Sequence, residues 1–385
     1  MIRIFIESIR KRNAELIKAG FYYHREGLIL PNTYLIDLDT LLDNAKKIKE
    51  KADENGLDIF FMTKQFGRNP YIAKKLLEIG YKGAVVVDFE EAEVMMKNNI
   101  PINNIGHLVQ IPKSLVRKVL SYGVEFVTVY SLEKIKEINE VAKNLGKVQK
   151  ILIKVVGEND VLYSGQLGGF KINSINELIE ETKDLSNIDI AGITSFPCFL
   201  FNENEKKVKP TSNIETLLKS KEIFRAKNID IREINMPSAT SIETMESIKK
   251  YGGTQGEPGH ALTGTTPNIN SEEVPSIIYV SEISHNFEGL AYCYGGGCYR
   301  RGHLQKALVG TSAENYEVCG ASLPSLESID YHIGLSKECN IGDTVIMAFR
   351  TQIFVTRSKV AIIEGLSKNN PTITGIYNSL GESVV

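Results

Sequence analysis

From residue 34 to about residue 255 the chain alternates short apolar runs with stretches in which apolar residues return every three or four positions. The first kind of run suits a strand buried on both faces, and the second an amphipathic helix packed along one side. Runs at 59–63, 84–87, 105–109, 126–129, 151–156, 190–196, 231–236 and 252–255 are the expected strands. Segments 69–79, 89–97, 131–145 and 239–250 are expected helices between them. Eight such runs, alternating with helices, predict an α/β fold in which parallel strands close into a (β/α)8 barrel. Chemistry in such a barrel sits at the carboxyl ends of the strands, so the residues just after each run are the candidates.

Beyond about residue 267 the pattern changes to β-rich runs at 276–282, 344–349 and 360–364, separated by Gly and Asn, with few helical stretches. This predicts a separate, mainly-β domain. The first 33 residues contain one expected helix, 5–18, whose apolar side is too isolated to bury itself and should dock on the body of the protein or on a partner subunit. The expected organisation is an N-terminal helical extension at 1–33, a barrel at 34–268 and a C-terminal β domain at 269–385.

Composition narrows the function class. Lys, Arg, Asp and Glu are interspersed and nearly balanced at a net charge of −2, so no basic face points to nucleic acid or an anionic membrane. No apolar run has the length of a membrane span and the opening lacks a secretory leader, which predicts a cytoplasmic protein. Cys198, Cys293, Cys298, Cys319 and Cys339 are odd in number and lack metal-ligand spacing, which predicts free thiols and no metal site. Small-molecule chemistry is the remaining expectation.

Three passages carry candidate chemistry. Lys64 follows the first expected strand; a partly desolvated lysine there can form a Schiff base with an aldehyde, although a solvated loop lysine is the commoner case. The Gly-rich passage 252–264 closes the eighth run, and its backbone suits a phosphate or simply a turn. Ser238 follows the seventh run, where its hydroxyl caps a helix or meets the same phosphate. In the second domain, Tyr294 and Cys298 flank Gly295, Gly296 and Gly297, a loop that either holds those side chains in an unusual geometry or is a flexible surface turn.

In this order along the chain, these passages resemble fold-type III pyridoxal-phosphate enzymes, the alanine racemases and their relatives, from residue 34 to about 365, most nearly the YhfX-like group. The resemblance implies pyridoxal 5′-phosphate bound to Lys64, with Arg68 in place of the family's phosphate-contacting tyrosine. It further implies a phosphate site made by Ser238, Gly259 and His260, the last two within a Pro-Gly-x-Ala-Leu-x-Gly pattern at 258–264. Tyr294 matches the tyrosine that the second domain of one subunit lends to the other, so the resemblance implies a homodimer acting on an amino acid. Cys298 is the substitute for Tyr294 as second base.

Two positions depart from the racemases. Glu257 stands where they place an arginine against the pyridine nitrogen, and Gln166 where they carry an arginine near the phenolic oxygen. A carboxylate pairs with a protonated ring and makes it a stronger electron sink. The leading expectation is an amino-acid racemase or epimerase exchanging the α-proton between Lys64 and Tyr294. Decarboxylation or another carbon-lyase reaction on the same fold is the alternative favoured by Glu257, and a non-catalytic cofactor carrier is a third. For the substrate carboxylate, Arg300, Arg301 and Arg350 are equal candidates, and His107, Gln110 and Phe196 either line the pocket or pack the barrel.

Overall fold

The computed structural model describes residues 5–266, 268 and 270–384, in two compact units. One consists of residues 48–63 and 73–259, the other of residues 1–47, 64–72 and 260–385.

The first unit is the barrel. Its parallel strands run Phe61–Met62, Ala84–Val85, Ile102–Ile105, Phe126–Val129, Gln149–Val156, Ile188–Thr194, Glu233–Asn235 and Gln255–Gly256, each hydrogen-bonded to the next. The last pairs with Asp58–Ile59, the start of the same extended stretch that holds Phe61–Met62, so the sheet closes on itself. Every expected strand is present. The third runs Ile102–Ile105 and ends where the apolar pattern has it begin, because Gly106, at φ +92°, lies so close to Thr128 that a Cβ would stand 2.4 Å from its carbonyl oxygen. That glycine ends the strand and sends residues 106–110 into a loop. The eighth starts late, after a turn at Gly252 with φ +77°.

Helices Pro70–Ile79, Phe89–Lys97 and Leu132–Asn144 fall where expected. Each carries a side-chain cap: Asn69 accepts from the Ile72 amide at 3.0 Å, Asp88 from the Glu91 amide at 2.8 Å, and Ser131 from the Lys134 amide at 3.3 Å. The expected helix at 239–250 is a 3-10 turn followed by Met245–Lys250, and its capping residue is Ser241, not Ser238.

The second unit holds, among its described residues, a nine-stranded sheet. Thr33–Asp37 lies inside it, antiparallel to Ile277–Phe287 and parallel to Lys359–Glu364. All five residues of this strand are buried, so a pattern that resembles a barrel strand belongs to a different sheet. Residues 34–47, expected in the barrel, are thus in the second unit, as are 64–72 and 260–266. Pro267 and Ile269, beside the expected boundary, lie outside the described residues.

The N-terminal extension forms two helices rather than one, Phe5–Arg12 and Ala14–Arg25. Asn13 breaks the run: its Oδ1 accepts from the Leu16 amide at 3.3 Å while its Nδ2 donates to Asp37 at 2.9 Å and to the Pro275 carbonyl at 3.0 Å. Ile6, Ile9, Leu16, Ile17 and Phe21 pack with Ile278, Val280, Leu308 and Ile346 of the sheet.

Candidate functional site

Lys64 opens a 3-10 turn, Lys64–Phe66, two residues after the strand Phe61–Met62. Just before it, the Thr63 hydroxyl donates to Glu91, whose other carboxylate oxygen accepts the Val87 amide at 2.5 Å. The chain then turns through Gly67 and Arg68, at φ +71° and +54°. Gly67 is tight against Ile353 and Val360, where a Cβ would stand 3.0 Å from each. Arg68 is buried, its guanidinium 5.4 Å from the centre of the Phe354 ring.

His260 shares the unit that contains this turn. Its Nδ1 is 3.0 Å from the Thr265 hydroxyl and its Nε2 is 3.4 Å from the Gln352 amide nitrogen. Burial, then the charges of Arg350 and Lys64, hold its pKa well below the ordinary histidine value, so the ring is neutral. Thr351 donates to the Gln65 carbonyl at 3.1 Å. Residues 350–354 of the β-rich unit therefore run along both the Lys64 turn and His260. Sequence reading missed Thr351, Gln352 and Phe354, which have no periodic pattern and no motif; Arg350 had been one of three equal arginines.

In the barrel unit, Glu257 is buried and accepts from Asn235 Nδ2 at 2.9 Å and Asn104 Nδ2 at 3.4 Å. The two amides are oriented in turn: Asn235 Oδ1 accepts from Thr194 and Asn104 Oδ1 from Thr128, both at 2.8 Å. A carboxylate fixed this way is an acceptor aimed by a second layer of polar side chains. The Glu257 amide donates to Thr240 at 3.0 Å. Ser238 and Ala239 both have positive φ, +88° and +52°, and the Ser238 hydroxyl donates to the Phe199 carbonyl at 2.7 Å. Gln166 carries a buried Oε1 with no partner among the described residues.

Lys154, missed in the sequence, stands on the barrel strand Gln149–Val156 and is 1% exposed. Its Nζ lies 4.4 Å from the centre of the Tyr130 ring and donates to the Tyr130 hydroxyl at 3.2 Å and to the Gln166 carbonyl at 3.4 Å. Burial lowers its pKa to about 8. The available signal was a lone lysine within Ile-Leu-Ile-Lys-Val-Val, where a strand buried on both faces expects none. Phe196, in contrast, packs edge-on to His107 and against Tyr163, and the Gln110 amide donates to the carbonyls of Gly106 and Thr128.

Tyr294 ends the strand Leu290–Tyr294 and is 41% exposed. Its ring lies beside His332, directly opposite in the sheet, at 6.1 Å between centroids. The loop behind it is tightly held. The Tyr294 carbonyl accepts from Ser281 at 2.7 Å, the Gly297 carbonyl accepts from Tyr34, and the Gly296 amide donates to Asp330 at 3.2 Å. Gly297 is obligatory, since a Cβ there would meet the Tyr279 ring at 2.1 Å. Cys298 is buried, and burial pushes its thiol pKa far up.

Residues 36–267 match the family described as "Alanine racemase, N-terminal domain", and residues 278–373 the one described as "YhfX-like, C-terminal domain". The protein YhfX of Escherichia coli (strain K12) is 42% identical over 99% of this chain and 100% of its own length. Alanine racemase 2 of Caldanaerobacter subterraneus subsp. tengcongensis is 25% identical over 67% of this chain and 66% of its own. Among solved structures, alanine racemase of Clostridium difficile 630 superposes with a TM-score of 0.64 at 19% identity, over 91% of this chain and 99% of that one, a likeness in fold. The chain therefore belongs to the alanine racemase family of fold-type III pyridoxal-phosphate enzymes and carries a YhfX-like C-terminal domain.

Proposed function

We propose that this chain is an amino-acid racemase or epimerase that holds pyridoxal 5′-phosphate on Lys64 and works as a homodimer. The donor set fits that cofactor. A phosphate dianion calls for cations and N–H donors, which Arg68 and the backbone of Gly259 and His260 supply. Holding Ser238 and Ala239 at positive φ costs roughly 1–3 kcal/mol each, a strain that gathers at ligand clamps. The unpartnered oxygen of Gln166 leaves that amide able to turn toward a ligand.

Pyridoxal phosphate, when bound, draws electrons from the α-carbon of an attached amino acid and so acidifies its proton. Lys64 would anchor the cofactor, and its amine would be the base for one face of that carbon. Glu257, held by Asn104 and Asn235, is the acceptor that would pair with a protonated ring nitrogen. Tyr294 of the partner subunit serves the opposite face. Cys298 is a poor substitute, because its raised pKa keeps the thiol protonated.

The observation that carries this reading is the clamped loop behind Tyr294, which presents an exposed phenol at a strand end on a backbone bonded by Ser281, Tyr34 and Asp330. Incubation with single enantiomers in deuterium oxide tests it. Racemisation gives deuterium at the α-carbon, both enantiomers and an intact carboxylate, and Tyr294→Phe lowers exchange by roughly 100-fold or more. Carbon dioxide release instead establishes the second reading, decarboxylation, which the buried carboxylate of Glu257 favours.

A further inference from the structure

We infer that Arg350 is a cofactor-phosphate ligand, pairing with Arg68 to neutralise the phosphate dianion rather than binding the substrate carboxylate. The inference rests on the proposed attachment of pyridoxal phosphate at Lys64. Three arginines compete for an anionic role, and their surroundings differ. Arg300 donates to the carbonyls of Pro324, Ser325 and Ser328 at 3.0–3.2 Å, so its fork is spent on its own loop. Arg301 is exposed. Arg350 is partly buried, within electrostatic reach of His260, and shares that reach with Lys64.

Its backbone is fixed from three sides. The Arg350 amide donates to the Gly302 carbonyl at 2.8 Å, Thr351 holds the Gln65 carbonyl, and Gln352 meets His260. Two residues further on, Phe354 lies against the Arg68 guanidinium. One short segment therefore lies along both the Lys64 turn and His260.

Charge then separates phosphate from carboxylate. A phosphate ester near neutral pH carries about two negative charges, a substrate carboxylate one. His260 contributes none, since burial and its cationic neighbours keep it neutral. Two arginines balance the dianion, and both belong to the unit that contains Lys64 and His260.

The test compares the affinity of pyridoxal phosphate with that of pyridoxal, which lacks the phosphate, by absorbance titration, with borohydride fixation and peptide mapping to locate the attachment. In Arg350→Gln, pyridoxal phosphate should bind roughly 10- to 100-fold more weakly, with pyridoxal unchanged. Arg350→Lys should fall between the two, and its measurement decides the matter if the glutamine variant does not fold. Arg301→Gln should match wild type.

Equal losses for both vitamers, no loss for either, or a loss confined to amino-acid binding overturn the inference while the Lys64 assignment stands. Wild-type protein that fixes neither vitamer on Lys64 overturns the proposed function and the inference together.

Discussion

At the residue scale, Lys154 stands out because its type conflicts with its position. With a pKa of about 8 against an ordinary 10.5, it destabilises the fold wherever it is charged. Below pH 8 both folded and unfolded chains carry the proton, and the folded chain bears the full cost, roughly 3 kcal/mol. Between pH 8 and 10.5 the folded state loses the proton first, so the unfolded chain binds more protons and stability rises with pH. Lys154→Met should therefore be more stable than wild type in urea at pH 7, by up to about 3 kcal/mol, with the gain shrinking steadily toward pH 10.5. A gain that does not depend on pH would contradict this account. Substituting Glu257 has the opposite sign. Glu257→Leu strands Asn104 Nδ2 in the barrel and leaves Asn235 Nδ2 only its 3.5 Å bond to Gln255, a loss of about 1–3 kcal/mol measurable by the same urea titration.

Single side chains decide where elements end, and this is where the apolar pattern misplaces boundaries. Asn13 turns an expected helix into two because its side chain caps the second and ties the joint to Asp37 and Pro275. Alanine at that position has the better helix propensity, worth well under 1 kcal/mol, but loses a cap and the bonds to Asp37 and Pro275, leaving Asp37 with Thr40 as its donor. Asn13→Ala is expected to lower stability by about 2–3 kcal/mol in chemical denaturation. At the end of the strand Leu290–Tyr294, the Gly-rich loop is rigid where composition left it open to being a flexible turn. Gly297→Ala would drive a methyl into the Tyr279 ring. Its expected signature is slower α-proton exchange with unchanged cofactor affinity, since the loop positions Tyr294 and does not touch Lys64. Weakened cofactor binding with normal exchange would argue against that division.

At the scale of the molecule, the N-terminal helices act as a lid over one face of the nine-stranded sheet. Ile6, Ile9, Leu16, Ile17 and Phe21 are all buried, and each large apolar side chain contributes about 1.5–3 kcal/mol on burial. Deleting residues 1–30 should expose Ile278, Val280, Leu308 and Ile346 and give a chain that aggregates or binds a hydrophobic dye; a monodisperse truncated protein with native unfolding behaviour would refute it. The barrel was legible from sequence because its strands are buried on both faces and recur with helices between, a local pattern that survives without knowledge of partners. Lys64, Ser238, Glu257, Gly259 and His260, the residues proposed to hold the cofactor, were singled out in the sequence because they stand beside strand ends or in a motif. The strand Thr33–Asp37 was not, because what assigns it is pairing with Lys359–Glu364, more than 300 residues away, and its apolar pattern is that of any central strand. The segment 350–354 likewise has no signature of its own; only the folded chain sets Thr351 on Gln65, Gln352 on His260 and Phe354 under Arg68. Apolar periodicity and motif order thus determined the architecture and singled out Lys64 as the proposed anchor, both of which depend on neighbours along the chain. Which sheet a strand joins, how a buried lysine titrates and which arginine stands near the anchor were decided by contacts between distant residues, which only the tertiary structure creates.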